Sequence, residues 1–391
     1  MSLVQTMAPG AADPDLHDED MPAGLEMHQL RRRLLRLAAL VVVVIAVVTL
    51  IPGLADVRKG LARASGGWLV LAAGIEVLSC LAYVVAFRAA FCAQMTWRMS
   101  YRIGLSALGA ASLLPLGGVG GLALGAWALR RGGLAVERIA RRTVAFFLIT
   151  SAINVAAVIV VGAALAVGLL PGTGSLLLGV GPVALALGAV LVVTLAVPRL
   201  AGRLVPSWSA PGRPKLLGRL AQGLDATKDG IAEAVCLLRS GDLRLVGGAI
   251  GYLVFDLAVF WACFRAFGAA PPISTLLLAY LLGQLGALIP VPGGIGGTDA
   301  GLVGALVIYG TPGATAAVGV IAYRAVLLWI PAVLGGVAFT SLKRSLRDEA
   351  AARIPCADDS LVRSLRWGRR EPPDRRLRAA RRLPFGGPGL Q

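Results

Sequence analysis

The chain has 391 residues, 57% of them hydrophobic and 15% charged, with a mean hydropathy of +0.77 and a formal net charge of +17. It is too apolar for an ordinary soluble domain, and its uninterrupted apolar runs predict membrane-spanning helices. The Lys and Arg residues flank those runs, where they act as orientation signals and meet anionic lipid, so no nucleic-acid partner is expected.

Residues 1–34 are rich in Pro, Gly, Asp and Glu and end in Arg31, Arg32 and Arg33, which predicts a disordered tail. The run Leu37–Leu54 follows Arg36 and reads as a first anchor rather than a cleaved leader, because the acidic lead is long. A second run, Gly67–Phe87, ends at Arg88. Next comes Ile103–Leu129, apolar throughout but interrupted by LLPLGGVGG at Leu113–Gly121. A basic connector carries Arg130, Arg131, Arg138, Arg141 and Arg142. The runs Thr143–Leu170 and Ser175–Val197 are joined by PGTG at 171–174. The polar segment 198–244 contains an amphipathic helix expected near 217–238. Leu245–Phe267 follows, then Ile273–Tyr309, interrupted by LIPVPGGIGG at Leu288–Gly297, then Gly313–Phe339. The Arg-rich residues 341–391 read as a disordered cytoplasmic tail on the lipid surface, leaving 35–340 as the membrane domain.

The two interrupted stretches decide the topology. On either side of the first glycine cluster lie arms of roughly 12 and 8 residues, reaching about 18 and 12 Å against a hydrocarbon core of about 30 Å. Charge then chooses between one broken crossing and a hairpin that returns to its own side. With about six full spans and two re-entrant hairpins, all but five of the 38 Lys and Arg residues face the cytoplasm. The exceptions are Arg58, Lys59 and Arg63 outside and Arg265 and Arg324 within spans. If only the first hairpin crossed instead, the connector and the long tail would face outward, against the positive-inside rule. The expected fold is therefore an all-α polytopic membrane protein with both termini cytoplasmic. Its hairpins enter from opposite sides, which makes residues 35–170 and 175–340 inverted repeats. Phe87-Arg88-Ala89 recurs as Phe264-Arg265-Ala266, and Gly117-Gly118 as Gly293-Gly294, at nearly one spacing.

Ionisable residues inside a membrane are costly and mark function by default. Glu76 and Asp256 fall near the middles of corresponding spans, either as a proton- or cation-linked pair or as carboxyls neutralised by a proton or a neighbour. Asn154 and Gln284 are milder candidates. Thr298 as N-cap with Asp299 in the first turn is ordinary helix chemistry. Alternatively, Asp299 is held at depth by Arg324, which needs an acidic partner there. Gly117, Gly118, Gly120, Gly293, Gly294 and Gly296 allow a short helix to begin near mid-membrane, where its free N–H groups suit a phosphate or carboxylate. Their plainer role is tight turning and close packing, as for Gly247 and Gly251. Arg88 and Arg265 mark opposite membrane faces, as interfacial anchors or as receivers of an anionic headgroup.

Other chemistries lack their residues. GGIGGTDAG has no P-loop Lys, and the GxG at Gly118–Gly120 lies in an apolar stretch, so neither ATP hydrolysis nor dinucleotide binding is expected. The only histidines, His17 and His28, lie in the N-terminal tail. The five cysteines, Cys80, Cys92, Cys236, Cys263 and Cys356, form no CxxC, so reduced, packed thiols are expected and no zinc site. No metal and no cofactor are expected.

The run IPVPGGIGGTDAGLVGALVIYGTPGATAAVGVIAYR at 289–324 resembles the signature of the flippase-like membrane domain of lysylphosphatidylglycerol synthases. The matching elements are Pro290, Pro292, Gly293, Gly294, Gly296, the acid Asp299, Gly310 and Arg324, and the first cluster, with Pro115, Gly117 and Gly118, is similar to the family's weaker first motif. The resemblance covers about 35–340 and implies the moving or handling of lipids in a bacterial plasma (inner) membrane. It has no counterpart here to the soluble aminoacyl-transferase domain, so lysyl transfer is not implied. The leading expectation is a non-enzymatic protein that translocates a lipid or lipid-linked substrate with an anionic headgroup. The alternatives are a polyprenyl-linked glycosyl- or phosphotransferase, for which Asp358-Asp359 is the nearest acid cluster, and an ion-coupled small-solute transporter using Glu76 and Asp256.

Overall fold

The computed structural model describes residues 64–113, 118–170, 215–268, 271–283, 297–347 and 354–356, with isolated residues between 180 and 199. Every regular element among them is helical. In chain order they are α1 (Gly66–Phe91), α2 (Trp97–Leu113), α3 (Gly118–Arg131), α4 (Val136–Ala166), α5 (Lys215–Arg239), α6 (Leu243–Ala266), α7 (Ile273–Gly283), α8 (Gly297–Ile308) and α9 (Gly313–Arg347). Helices α1, α4, α6 and α9 are long and apolar enough to cross a membrane. The expected spans Leu37–Leu54 and Ser175–Val197 lie outside the described residues, apart from isolated positions in the second.

The interrupted stretches resolve into the pairs α2–α3 and α7–α8. Their arms are longer than the glycine spacing suggests on the first side: α2 has 17 residues and α3 has 14, against 11 and 12 for α7 and α8. Helix α2 gains length by starting at Trp97, before the apolar run, with Trp97 and Arg98 exposed and Met99 and Ser100 buried. The start of α4 likewise lies further back, at Val136, so Arg138, Arg141 and Arg142 of the connector are helical. The amphipathic helix expected near 217–238 is α5, which packs on α4 where Gly230 meets Val144.

Close backbone contact through small residues sets the packing, as expected where burial in lipid supplies little drive for helices to associate. Helices α1 and α6 are antiparallel, with Gly248 against Ala82 and Ala86 and Gly251 against Ala82. Gly247, named with Gly251 from spacing alone, faces open space, so the packing face is one residue further on. Helix α2 crosses α9 where a Cβ on Gly109 would come within 2.8 Å of the Gly335 backbone and 2.9 Å of the Pro331 carbonyl. Within α2–α3, Gly121 lies against Ala107 and Ala111 and Gly125 against Ala107 alone, so the contacts run back along α2 and the two arms are antiparallel. Both α3 and α8 end on left-handed glycines, Gly133 and Gly310, with the two backbone bonds that close a helix on such a residue.

This arrangement gives the molecule two unlike ends. One end gathers the α1–α2, α3–α4 and α5–α6 turns with the C-terminus of α9, and there Arg102 donates to Ser345 Oγ. Arg142 bridges Glu233 at 3.1 Å and donates to the terminal carbonyls Ala90 and Phe91 of α1, a capping role that its place in a basic connector did not suggest. The opposite end joins α1 to α6 through the Ser65 N–H donating to the Ala266 carbonyl at 2.8 Å.

At the first end two expectations are corrected. Cys92 and Cys356 form a disulfide with their Cα atoms 6.0 Å apart, whereas Cys80, Cys236 and Cys263 are free. Neither cysteine of the pair sits in a recognisable motif, and 264 residues separate them, so only the fold could bring them together. The residues after 340 are also not all tail. Helix α9 runs to Arg347, Ile354 N–H donates to the Gly132 carbonyl, and Arg138 donates to the Cys356 carbonyl. Ile354 and Cys356 are buried in an apolar cluster with Phe87, Ile103, Leu129 and Phe146. The proposed tails 1–34 and 357–391 lie outside the described residues.

Candidate functional site

The second half of the chain brings four helices to one polar cluster. Asp256, in the middle of α6, is only 3% exposed. Its carboxylate accepts a hydrogen bond from Tyr280 Oη of α7 and another, at 2.9 Å, from Tyr323 Oη of α9. Both tyrosines are buried, so their rings supply apolar surface and their hydroxyls supply what a buried carboxylate lacks. Phe260 fills the space between them, with its ring centroid 4.8 Å from that of Tyr323. Tyr280 and Tyr323 had no sequence signal as site residues, because an aromatic in an apolar helix reads as packing. Spacing from Asp256 in a folded bundle was needed to find them.

Next to Tyr323, Arg324 turns to the start of α8. Its Nε donates to Asp299 Oδ1 and its Nη2 to Thr298 Oγ1. Arg324 thus finds the acidic partner that a cation at this depth needs, and Asp299 is more than a helix-capping residue. Thr298 is corrected from N-cap to the second residue of α8, with its hydroxyl engaged by the guanidinium. The Arg324 and Asp299 side chains are 38% and 26% exposed, unlike Asp256, so this pair borders open space. The positive end of α8 lies beside the Asp299 carboxylate and adds to its stabilisation.

Glu76 belongs to the same level of the molecule. In the antiparallel register of α1 and α6, Gly248 stands against Ala82 and Ala86, which places Asp256 opposite the stretch around Glu76 and Ser79. Glu76 lies within electrostatic reach of Asp256 and is 4% exposed. Cys80 Sγ contacts its Oε1 at 3.7 Å, while Glu76 Oε2 and Ser79 Oγ are buried with no hydrogen-bond partner among the described residues.

The remaining candidates are elsewhere. Arg88 donates through Nε to the Met95 carbonyl at 2.6 Å and lies over the Trp97 ring at 4.4 Å. Arg265, at the other end, stands over Trp68 and Trp261 at 5.5 and 5.6 Å. Each is an aromatic-anchored cation at its own end, and the two do not meet. Gly118 opens α3 and Gly120 is buried within it, while the tightest approach there belongs to Gly121. Asn154 is half-buried on α4. Gly117, Gly293, Gly294, Gly296, Gln284 and the Asp358-Asp359 pair lie outside the described residues.

Residues 36–335 match the protein family described as the lysylphosphatidylglycerol synthase TM region. No curated protein matches the chain.

Proposed function

Since the chain belongs to the family of the lysylphosphatidylglycerol synthase TM region, and is thus a lipid-related, multi-pass membrane protein, we propose that it translocates a lipid or lipid-linked substrate across the bilayer. The observation that carries this reading is the half-open Arg324–Asp299–Thr298 group at the first turn of a short helix. A guanidinium beside the positive end of a helix is suited to a phosphate or carboxylate headgroup, and Asp299 holds it in place between visits. The protein acts without chemical conversion of the lipid, and its partners are anionic headgroups.

Its topology follows from the same features. Helices α2 and α3 begin and end at the basic end, and α7 and α8 at the opposite one, which suits two re-entrant hairpins. The starts of α1, α2, α3 and α4 recur at α6, α7, α8 and α9 after 177, 176, 179 and 177 residues, and α1 is antiparallel to α6, as inverted repeats require. Gly133 and Gly310, which end the second arm of each hairpin, are likewise 177 apart. The concentration of Arg and Lys at the first end favours the cytoplasmic side of a bacterial inner membrane. The Cys92–Cys356 bond at that end pulls the other way, since disulfides persist in oxidising compartments. Charge spread over many side chains outweighs one reducible bond.

The test is a vesicle assay with purified protein and a panel of labelled anionic, zwitterionic and polyprenyl-linked lipids. Movement of an anionic species that Arg324→Gln abolishes is expected; folded protein that moves no lipid in the panel sinks the proposal.

A further inference from the structure

The headgroup group leaves the buried carboxyls Glu76 and Asp256 unused. They lie deeper, on the α1–α6 pair, which packs through Gly248, Gly251, Ala82 and Ala86. Among the described residues, three acidic side chains, Glu76, Asp256 and Asp299, share this region with a single cation, Arg324. That cation is committed to Asp299 and Thr298 and reaches Asp256 only through its field. Asp256 has its two tyrosine donors. Glu76 has a weak thiol contact on one oxygen and nothing on the other, and the hydroxyl of Ser79, one helical turn along the same face, is equally unmatched. Ser79 is 0% exposed and Glu76 4%, so water does not make up the deficit from outside. A buried carboxyl and hydroxyl left without partners mark a place where something binds.

We infer that Glu76, Ser79 and Asp256 form a binding site for one hard monovalent cation, H+ or Na+, which drives the transport cycle proposed above. The donor set is all oxygen, which suits a hard ion. The excess of negative over positive side chains calls for a positive ligand. The groups facing the pair from other helices support this. Tyr252 and Cys263 of α6, Tyr280 of α7, Cys80 of α1 and Tyr323 of α9 present hydroxyl or thiol groups, so among the described residues Arg324 is the only cation in reach. Asp256 links the site to transport. It is bonded both to Tyr280 on the α7–α8 hairpin and to Tyr323, the residue beside Arg324, so loading the cation alters what holds the hairpin against α9. Two ligands that bias one element in this way are coupled reciprocally.

This inference rests on the transport reading for its role but not for its site, and the two are tested apart. Binding is read on purified full-length protein in detergent, from the midpoint of thermal unfolding, in Na+ against choline at fixed ionic strength and across pH 5.5–8.5. A ligand that binds only the folded state raises that midpoint. The expected result is a rise of a few degrees with Na+, or with acidification, that Glu76→Gln and Asp256→Asn each reduce by at least half. Ser79→Ala, which removes only a hydroxyl, separates the sources: it weakens the response to Na+ and leaves a response to H+ intact. Equal responses in wild type and all three variants overturn the site. Coupling is then read in vesicles, where an imposed gradient of the identified ion is expected to speed lipid movement several-fold in wild type and not in Glu76→Gln. Lipid movement that ignores both gradients overturns the coupling while leaving lipid transport standing. Ion-dependent midpoints in a protein that moves no lipid would instead support the site and remove the transport reading.

Discussion

Helices α1–α4 and α6–α9 occupy corresponding positions about 177 residues apart, yet they are held together by different chemistry. Where the second half has Tyr280, Tyr323, Arg324 and Asp299, a shift of 177 residues lands on Ile103, Phe146, Phe147 and Leu122. Ile103 and Phe146 are buried in the apolar cluster at the basic end, with Phe146 edge-on to Tyr83. Asp256 corresponds to Ser79, the unmatched hydroxyl. The first hairpin is therefore fixed by close backbone packing on α9 and by a disulfide behind it, and the second by hydroxyl and charge pairs. Apolar packing in the first half suits a rigid scaffold. Polar pairs in the second can be exchanged for bonds to a ligand, as the proposed transport would require.

The comparison breaks most easily at the first hairpin. Gly335→Leu forces a side chain into the backbone of α2, where a Cβ already meets Gly109 Cα at 2.6 Å and the Leu105 carbonyl at 2.6 Å. A loss of about 3 kcal/mol of stability is expected, because overpacking against backbone has no rotamer to relieve it. Thermal unfolding in detergent checks it, and a well-folded variant would show that the seam is slack. Cys92→Ser comes next, at about 2 kcal/mol, near the low end for a disulfide because a chain threaded through a membrane has less loop freedom to lose. Alkylation of Cys92 and Cys356 in intact cells also reads the compartment. Bond loss under mild reduction should leave the proposed lipid movement in place if the bond serves only the scaffold.

The scaffold was more legible in the sequence than the site. Hydropathy located α1, α4, α6 and α9 to within a few residues at most ends, because apolar length and flanking charge are local properties. The glycine clusters marked the breaks that open α3 and α8. The polar candidates Glu76, Asp256, Asp299 and Arg324 stood out because each is expensive in an apolar run. Tyr280 and Tyr323 did not, since a tyrosine there costs little by itself and only its partner reveals its use. The disulfide was illegible for the same reason: a contact between Cys92 and Cys356 depends on how α1 and α9 end, not on any spacing. Arg88 and Arg265 were read as two options, and each stands over aromatic rings at its own end of the molecule, a contact compatible with either.

The remaining predictions sharpen the contrast at the second hairpin. Asp299→Asn and Arg324→Gln are each expected to lower lipid movement tenfold or more, equivalent to about 1.4 kcal/mol per tenfold. Stability should fall by only about 1 kcal/mol, because the pair is partly exposed and solvent screens it. The exchanged pair, Asp299→Arg with Arg324→Asp, should recover part of the stability and none of the transport if the guanidinium must stand on α9. Recovery of both would mean that only the pairing matters. Tyr280→Phe removes one donor from Asp256 and should cost about 1 kcal/mol, with Tyr323→Phe similar and the double change more than their sum, since it strips the carboxylate of both hydroxyls. The smallest effect is expected at Arg265. Its guanidinium lies over two indole rings, and Arg265→Lys keeps the charge but loses the planar stacking, costing roughly 0.5 kcal/mol. Trp68 reports that loss by fluorescence, because its ring also stands edge-on to Trp261 with centroids 5.4 Å apart. A spectrum and a transport rate both unchanged would mark Arg265 as an interfacial charge with no stacking role. A transport rate reduced as far as that of Arg324→Gln would move the headgroup site towards the outer end of α6, and the anchoring reading of this arginine would fail.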